Sequence, residues 1–439
     1  MIEICSVGGY SEFGRNMTAV KIDNCVIIVD MGIHMENYIK LQGAEEIDFV
    51  GAKRLLESGS IPEYTNIDDW RDMVKIIVPT HAHLDHVGAI PFLANKYDAE
   101  IVCTPFTAEV IKTISNDRNK KLKNTIKSVN PNSSFKVSDE VSIDFIHVTH
   151  STPQTAMIAI HSPYGTVVYA NDFKFDTCPT LGSKPNFEKI KSLEGAKCLI
   201  VDCTRAWDER KTPSESVAKE MLKDVMHGID SDDNLIVATT FSSHLARLKS
   251  IIELGKEKNR KILMLGRSLD KYVTAGENAG IIDFSDVERI KFKDQIKKIL
   301  HKVKQIPSKY LLIVTGHQGE PEAVLANMVY GKLKYKFDRN DQIIFSCSVI
   351  PNEDNVNNRN LLEDKLRDQH VRIFKDIHVS GHAAKEELRD LINMVKPQEI
   401  VPAHGFIEMM ESLKTLAIDM GYKQENIHMH RNGDSLRLD

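Results

Sequence analysis

The segment from Thr80 to His86 constrains the fold of this chain more than any other. It reads His-x-His-x-Asp-His over residues 81–86 and directly follows the apolar run 76–78. Neutral imidazole nitrogens and carboxylate oxygens are the ligands that zinc prefers. Four such groups are too many for one tetrahedral ion that must keep a position open for water, so the segment predicts two adjacent metal ions. The remaining ligands must then come from elsewhere in the chain.

The composition is typical of a globular protein without a membrane span. The 439 residues, of which 42% are apolar and 27% are charged, allow two or three domains with a sizeable core. No apolar stretch reaches the ~18 residues that a membrane span needs, and the N-terminus shows no charged-then-apolar leader. Seven cysteines without a Cys-x-x-Cys pair favour a reducing cytoplasm. Because the net charge is −5, any positive field that attracts nucleic acid must be local.

Further candidate ligands follow predicted strands later in the chain. His150 and Asp172 each come just after a strand-like run, and His404 ends the run that begins at residue 399. Together with the 81–86 segment, these residues supply the missing ligands. Two other carboxylates also end apolar strands. Asp202 ends the run from 198, while Asp30 either orients a metal-bound imidazole from behind or simply forms a turn.

The pattern of strand-like and helical runs changes near residue 205 and changes back near residue 375. Between them, strand-like runs alternate with helical ones, which predicts a separate α/β domain with a mostly parallel sheet. Three loops of this domain follow a strand, so they should gather at the carboxyl edge of the sheet, where ligands generally bind. Each loop alone is equally consistent with a plain connection. The candidate phosphate-binding residues in these loops are Ser242, Ser243, His244, Arg267, Ser268, His317 and Gln318.

On these residues the chain resembles the metallo-β-lactamase fold, more closely the β-CASP nucleases, and most closely the ribonuclease J family in its short archaeal-type form. Two departures stand out. Asn171 replaces a usual glycine, and Cys203-Thr204-Arg205 replaces the more familiar Ser-Thr-Asn. The chain also ends without the extra C-terminal domain of bacterial members. The phrases that carry the resemblance are 171–176, 212–215, 266–268, 319–321 and 378–383.

The resemblance implies a fold class and a domain organisation. The expected fold is α/β, a metallo-β-lactamase αββα sandwich with an inserted β-CASP α/β domain. The first part of the metallo-β-lactamase domain is then expected at 1–204, the inserted domain at 205–375, and the C-terminal part of the metallo-β-lactamase domain at 376–439. In that arrangement the three loops would face the metal site across a cleft that admits single strands more readily than duplexes.

The resemblance also assigns roles to the candidate residues. His81, His83 and His150 would hold one Zn²⁺, Asp85, His86 and His404 would hold the other, and Asp172 would bridge them, with Asp30 behind the ligands. Mn²⁺ is an alternative metal for such a site. His382, steered by Asp202, is the expected general acid for the departing 3′-oxygen, although it is also readable as a ligand or a structural loop residue. Asp85 is counted with these two among the catalytic residues.

The expected function is hydrolysis of single-stranded RNA, with single-stranded DNA as a second candidate substrate. The resemblance favours processive 5′-to-3′ release of 5′-mononucleotides in RNA decay and maturation, with Ser380 and Gly381 gripping a 5′-monophosphate end. His382 is counted with them among the substrate-binding residues. A homodimer in the cytoplasm is expected. Three other functions stay open. They are an endoribonuclease of the cleavage and polyadenylation specificity factor type, a small-molecule hydrolase of the same fold, and a non-catalytic RNA-binding scaffold.

Overall fold

The computed structural model describes residues 1–44, 50–118, 120–228 and 233–439, which form two compact units. Unit 1 comprises Met1–Thr177, Ser183–Thr212 and Gly381–Asp439, and unit 2 comprises Cys178–Gly182 and Pro213–Ser380. The domain boundaries at 205 and 375 that the sequence suggests stay predictions. Among the described residues, no helix combines the length and the apolar character that crossing a bilayer requires.

The strands and helices follow one another along the whole described chain. The strands are β1 Ile2–Gly8, β2 Met17–Ile22, β3 Cys25–Val29, β4 Val74–Val78, β5 Glu100–Cys103, β6 Ile126–Ser128, β7 Ser134–Lys136, β8 Ser142–His147, β9 Ala156–Ser162, β10 Gly165–Ala170, β11 Cys198–Asp202, β12 Ile236–Thr239, β13 Lys261–Leu265, β14 Glu288–Ile290, β15 Tyr310–Val314, β16 Gln342–Phe345, β17 Arg372–Phe374, β18 Glu399–Ala403 and β19 Ser435–Leu438. The α-helices are α1 Met35–Ala44, α2 Ala52–Glu57, α3 Leu84–Val87, α4 Ile90–Leu93, α5 Pro105–Asp117, α6 Phe187–Lys191, α7 Glu215–Gly228, α8 Leu245–Glu257, α9 Arg267–Asn278, α10 Lys293–Gln305, α11 Val324–Val329, α12 Glu353–Asp368, α13 Lys385–Val395 and α14 Ile407–Asp419.

Unit 1 is built on two sheets whose inner faces pack together. Sheet 1 has the strand order β19-β1-β2-β3-β4-β5-β6, and sheet 2 has the order β18-β11-β10-β9-β8-β7. Successive side chains of a strand point to opposite faces, and β3 shows how both faces become buried. Ile27 and Val29 pack into the core between the sheets, whereas Val26 and Ile28 pack into a second core on the outer face of sheet 1. The continuous apolar run of β3 therefore marks a strand that is covered on both sides.

Helices cover the outer face of each sheet. Leu55, Ile90 and Ile111 come from helices of the first half of the chain and pack on sheet 1. Leu388 of α13 and Leu413 of α14 pack on sheet 2. The resulting order of layers is helix, sheet, sheet, helix. The αββα architecture expected from the sequence is confirmed.

Unit 2 contains one sheet, with the strand order β14-β13-β15-β12-β16-β17. All of its strand pairs are parallel, for example β12 with β15 and β13 with β15. Because parallel strands end at the same edge, the loops after β12, β13 and β15 leave the sheet on one side. The second α/β domain with a parallel sheet, as expected from the sequence, is confirmed.

A buried ion pair ties the first helix of unit 2 to the rest of that unit. Arg247 has 0% of its side chain exposed and donates to both carboxylate oxygens of Glu215, to the hydroxyl and carbonyl oxygens of Ser346 and to the carbonyl of Ile377. We expect Glu215→Ala to lower the free energy of unfolding by about 3–5 kcal/mol, because it leaves a guanidinium buried without its counter-charge. Denaturant titration of the variant measures this change.

The control for this prediction is Glu253→Ala. Glu253 pairs with Lys219 at 2.6 Å, but its side chain is 38% exposed, so its loss should cost at most about 1 kcal/mol. Burial alone would raise the pKa of Glu215, but the charges of His244 and Arg247 outweigh it and hold that pKa well below its usual range. The contribution of Glu215 to stability is therefore full above the ordinary glutamate pKa of about 4.3 and shrinks as the pH falls further. Equal losses in the two variants would contradict the prediction.

Candidate metal centre

The 81–86 segment leaves the carboxyl end of β4 and lies against the turn that follows β3. Met31 N–H donates to the carbonyl of His86 at 2.7 Å, and Ile33 N–H donates to that of Leu84 at 3.0 Å. At Gly32 an added Cβ would lie 1.6 Å from the carbonyl oxygen of Asp85, so only glycine permits this approach. The two strand ends thus fix the backbone from which several of the predicted ligands project.

A first group of four side-chain atoms converges in unit 1. Nδ1 of His83 lies 3.2 Å from Nε2 of His81 and 3.1 Å from Nε2 of His150. Oδ2 of Asp172 lies 3.5 Å from Nε2 of His81 and 3.4 Å from Nε2 of His150. Ligands bound tetrahedrally at about 2.0–2.1 Å from zinc lie about 3.3–3.4 Å apart, and these separations match that geometry.

A second group uses the other oxygen of Asp172. Oδ1 of Asp172 lies 3.2 Å from Nε2 of His86 and 3.5 Å from Nε2 of His404. Oδ2 of Asp85 lies 3.6 Å and 3.7 Å from the same two nitrogens. Because its two oxygens face different groups, Asp172 has the position of a bridging ligand. The structure therefore brings together all seven residues that the sequence analysis selects as metal ligands.

Hydrogen bonds to the far side of each ring fix which nitrogen keeps its lone pair. His150 Nδ1 lies 2.7 Å from the carbonyl of Gly381, and His86 Nδ1 lies 2.7 Å from a carboxylate oxygen of Asp30. Carbonyl and carboxylate oxygens only accept, so both Nδ1 atoms must carry a proton, and both Nε2 atoms face the cluster. A Cβ added at Gly381 would lie 2.9 Å from the His150 ring, so a glycine at this position permits the close contact.

Asp30 also orients His81 through Thr80. The Thr80 hydroxyl lies 2.9 Å from Asp30 Oδ1 and donates to it, which leaves the hydroxyl oxygen to accept from His81 Nδ1 at 3.0 Å. Asp30 has 0% exposure and a φ of 61°, in the left-handed region. Asp172 and His404 share this unusual backbone, with φ of 46° and 57°. Strained backbone of this kind concentrates at functional sites, where the surrounding structure holds it in place.

Burial and neighbouring charges set the protonation of the cluster. Burial lowers the pKa of His83 to about 4 and lowers the pKa values of His81 and His150 well below the ordinary range, so all three rings are neutral near pH 7. Burial opposes the charging of His86 too, but the carboxylates of Asp172 and Asp30 outweigh it and raise its pKa. The buried carboxylates around His86 therefore favour binding of positive charge next to this ring, either as a proton or as a metal cation.

Two atoms of the cluster have no hydrogen-bond partner anywhere in the described residues. They are Asp172 Oδ1 and His404 Nε2, and both are buried. A buried polar atom without a partner normally costs free energy, whereas a metal ion would satisfy both of these atoms at once. The donor set of imidazole nitrogens and carboxylate oxygens suits Zn²⁺, with Mn²⁺ as an alternative. The residues therefore fit a pair of divalent cations.

His382 lies beside this cluster rather than within either group described above. Its Nδ1 lies 2.8 Å from Asp202 Oδ2, and its Nε2 lies 3.9 Å from Asp172 Oδ2. Asp202 is itself held by the backbone N–H of Thr204 at 2.8 Å. Burial would lower the pKa of His382, but the charges of Asp202 and Asp172 outweigh it and raise the pKa to about 9. His382 is therefore protonated at neutral pH and directs Nε2–H toward the cluster.

Some predicted substrate-binding residues are buried inside unit 2. His244 is 3% exposed and lies 3.5 Å from Glu215, and Ser243 is 6% exposed. Gln318 is 4% exposed and bonds to the carbonyl of Ser348 and to the N–H of Ile350. These three side chains are buried within the unit, and their role as substrate contacts stays a prediction. The exposed or half-buried residues Ser242, Arg267, Ser268, His317 and Ser380 stay predictions.

Sequence reasoning missed Asn16, which orients a ligand from the opposite end of the chain. Its amide nitrogen donates to the carbonyl of Asp85 at 3.1 Å, which fixes the amide orientation. Its oxygen lies 2.9 Å from His404 Nδ1 and must then accept a hydrogen bond from that N–H. The Nε2 atom of His404 is thereby left available for a metal. A lone asparagine with a partner 388 positions away gives no local pattern.

We expect Asn16→Ala to weaken metal binding about 10- to 100-fold, because His404 loses the acceptor that fixes its tautomer and ring position. Competition with a coloured chelator measures the affinity without any assay of turnover. The matched control is Asn124→Ala, which removes a half-buried asparagine of unit 1 whose amide nitrogen donates to the backbone carbonyls of Ala94, Tyr97 and Ala99. If the control loses metal as readily as Asn16→Ala, the assigned role is wrong.

Three family descriptions match successive parts of this chain. Residues 10–212 match the metallo-beta-lactamase superfamily, residues 233–362 match the beta-CASP domain of ribonuclease J, and residues 369–430 match the RNA specificity domain of Zn-dependent metallo-hydrolases. The first match contains most of the ligand groups, and the third contains His382 and His404.

Curated relatives match over the full length. The chain is 39% identical to ribonuclease J of Methanocaldococcus jannaschii, over 100% of this chain and 99% of that protein. It is 41% identical to ribonuclease J of Pyrococcus abyssi, over 100% and 97%, and 31% identical to ribonuclease J 1 of Streptococcus pyogenes, over 100% and 74%. A crystal structure of a protein of unknown function from Enterococcus faecalis shares the fold, with a TM-score of 0.67, 14% identity and 99% coverage of both chains.

Proposed function

We propose, because this chain belongs to the ribonuclease J family, that it is a ribonuclease that uses two divalent cations to hydrolyse phosphodiester bonds of single-stranded RNA. The observation that carries the proposal is the pair of ligand groups that share the carboxylate of Asp172, with separations of 3.2–3.5 Å between its oxygens and the four nearest ring nitrogens. Two-metal sites of this kind are typical of enzymes that cleave phosphodiesters.

The proposed cations are Zn²⁺, one held by His81, His83 and His150 and the other by Asp85, His86 and His404. When bound, a pair of divalent cations polarises the scissile phosphate and stabilises the charge that develops on its oxygens. The protein side chains hold this arrangement rigid. Asp30, Thr80 and Asn16 fix the rings of three of the ligands from behind, so little reorganisation is needed when the substrate binds.

His382 supplies the proton that the departing 3′-oxygen needs. Asp202 accepts a hydrogen bond from Nδ1–H of His382, which fixes the ring and stabilises its charged form. The Nε2–H group is then the one that faces the substrate. A general acid works best when its pKa is not far from the working pH, and a pKa of about 9 keeps His382 protonated at pH 7 to 8. His382 is thus the proposed catalytic acid and Asp202 its positioning residue.

We further propose that the enzyme removes mononucleotides processively from a 5′-monophosphate end, in RNA decay and maturation. The position of Gly381 is compatible with such a phosphate contact, because its carbonyl accepts from His150 and its backbone therefore lies against a predicted metal ligand. A terminal phosphate that contacts Ser380 and Gly381 would sit close to the reacting bond. A homodimer in the cytoplasm, and activity on single-stranded DNA, belong to the same proposal.

Labelled oligonucleotides test this function. Single-stranded RNAs with 5′-monophosphate, 5′-triphosphate and 5′-hydroxyl ends, and a matching DNA, are incubated with the purified protein with and without chelator. We expect mononucleotides to appear fastest from the monophosphate, and chelator to stop the reaction. Internal fragments would favour the endoribonuclease function instead. Equal rates from all three ends would reject the 5′-end preference, and binding of RNA without any cleavage would favour the scaffold.

A further inference from the structure

We propose that Trp207 and Phe406 form an aromatic platform on which nucleobases of single-stranded RNA stack beside the candidate metal centre. This inference rests on the proposed function and deepens it. It assigns recognition of the bases to two side chains that neither hold the cations nor take part in proton transfer. Aromatic side chains bind single strands in this way because every nucleobase has a π face, so the contact tolerates any sequence.

The topology brings the two aromatic residues to one edge of sheet 2. Strands β11 and β18 are parallel neighbours, with Asp202 directly opposite Ala403. The loops that follow both strands therefore leave the sheet on the same side. One loop runs from Asp202 to Trp207, a step of five residues that spans at most about 17 Å, and the other carries Phe406 just after His404. Both aromatic residues thus lie near residues of the candidate metal centre.

Both rings are unusually exposed for their type. Trp207 is 59% exposed and Phe406 is 49% exposed. In the described part of unit 1, Tyr164 is the other strongly exposed aromatic residue, and its hydroxyl is bonded to Asp23. A single exposed apolar side chain is normal, whereas two large exposed rings on neighbouring loops are typical of an interaction site. Two such rings on neighbouring loops provide more area than an isolated contact.

The indole of Trp207 is held in place before any ligand arrives. Its Nε1–H donates to the carbonyl of Thr204 at 3.2 Å, within the same loop. The loop is fixed in turn, because the carbonyl of Asp208 accepts from the N–H of Lys385 at 2.9 Å and the backbone of Arg205 forms a bridge with Ala384. The residues that follow His382 therefore hold the tryptophan loop beside the catalytic histidine.

These contacts narrow the chemistry of the ligand. Because the indole N–H is already engaged, the exposed surface of Trp207 offers only its π faces and apolar edges. A phosphate or sugar hydroxyl gains little from such a surface, whereas a planar base gains stacking and burial of apolar area. A fixed ring also loses little side-chain entropy on binding. Unpaired bases therefore match the platform better than the nucleic-acid backbone does.

Tryptophan fluorescence provides the first test, because the chain contains only two tryptophans, Trp70 and Trp207. In the Trp70→Phe variant with its metal bound, emission comes from Trp207 alone. The titrants are a short phosphorothioate oligoribonucleotide that resists cleavage and an abasic oligonucleotide with the same backbone. We expect quenching by the first and little change with the second. Equal quenching by both oligonucleotides, or no quenching by either, would overturn the proposal. A signal that changes with protein concentration alone would also overturn it, because it would indicate contact with a second copy of the chain.

Substitution provides the second test. Trp207→Ala and Phe406→Ala should each weaken binding of the base-bearing oligonucleotide about 5- to 150-fold and leave binding of the abasic one unchanged. Trp207→Tyr should restore most of the affinity, while the exposed control Tyr164→Ala should bind like the parent. Metal content and circular dichroism verify that the variants fold. If the wild-type protein cleaves no RNA but Trp207 emission still responds to bases, the proposed function is wrong and the aromatic platform is supported. If the protein cleaves RNA normally but shows no base-dependent quenching, the platform is wrong and the proposed function is supported.

Discussion

Replacing Asp172 by alanine is expected to remove both cations and reduce RNA cleavage to background. Its two oxygens face different ligand groups, at 3.2 Å from His86 Nε2 and 3.4 Å from His150 Nε2, so a single substitution opens both sites. Loss of a group that merely orients a ligand costs about 10- to 100-fold in metal affinity, and loss of this shared ligand should cost more at each site. Elemental analysis of the purified variant measures the metal directly.

Two further variants make this prediction specific. Asp172→Asn retains the shape and tolerates the left-handed backbone at φ 46°, but it removes the charge, so it should retain at most weak metal binding. Asp144→Ala removes a half-buried carboxylate of unit 1 that lies 3.5 Å from the single histidine His161, and it should retain full metal content. An Asp172→Ala protein with the same metal content as the wild type would contradict the bridging role.

Replacing His382 by alanine is expected to lower kcat about 10²- to 10⁴-fold while the cations stay bound. The reason is that His382 lies beside the two ligand groups, and its proposed role is to contribute a proton rather than a coordinate bond. A matched control exists in His428→Ala, because His428 lies 2.9 Å from Glu399 in a similar histidine–carboxylate pair elsewhere in unit 1. The control should retain both activity and metal.

The pH profile distinguishes an acid from a structural histidine. A general acid is active when protonated, so the rate should hold up to neutral pH and fall as the pH rises through about 9. Burial lowers the pKa of His382 while Asp202 raises it, so Asp202→Asn should move this falling limb to lower pH. If the falling limb stays in the same place in Asp202→Asn, or if His382→Ala turns over at the wild-type rate, His382 is not the acid.

The fold was predictable because its signals are local. Strands such as 26–29 and 198–201 are short apolar runs, and the histidines of the 81–86 segment lie close together after another such run, β4. The resemblance to a family then supplied the layer order and the inserted domain. The assignment of metal ligands and of the catalytic acid stays a prediction, although the structure brings the chosen side chains within a few ångströms of one another.

The rest of the site depends on tertiary contacts that no local pattern records. Asn16 and Thr80 are single polar residues, and their value comes from partners that folding brings near. Unit 2 shows a second limit of sequence reasoning. His244 and Gln318 stand in loops at the correct edge of a parallel sheet, but their side chains turn inward and are buried. Loop position follows from strand order, whereas the direction of one side chain follows from packing.

The separation of the ligands along the chain has a consequence for the order of folding. Unit 2 is complete in sequence at Ser380, but the second ligand group needs His404, which directly follows β18, the edge strand of sheet 2 in unit 1. During synthesis, a growing chain can therefore fold unit 2 while the proposed second cation site still has an incomplete set of ligands. The contacts that close the site are among the longest-range in the molecule, and loop closure makes such contacts slow to form. With His404 as a ligand, as proposed, we expect nuclease activity only in chains that have been translated past residue 404.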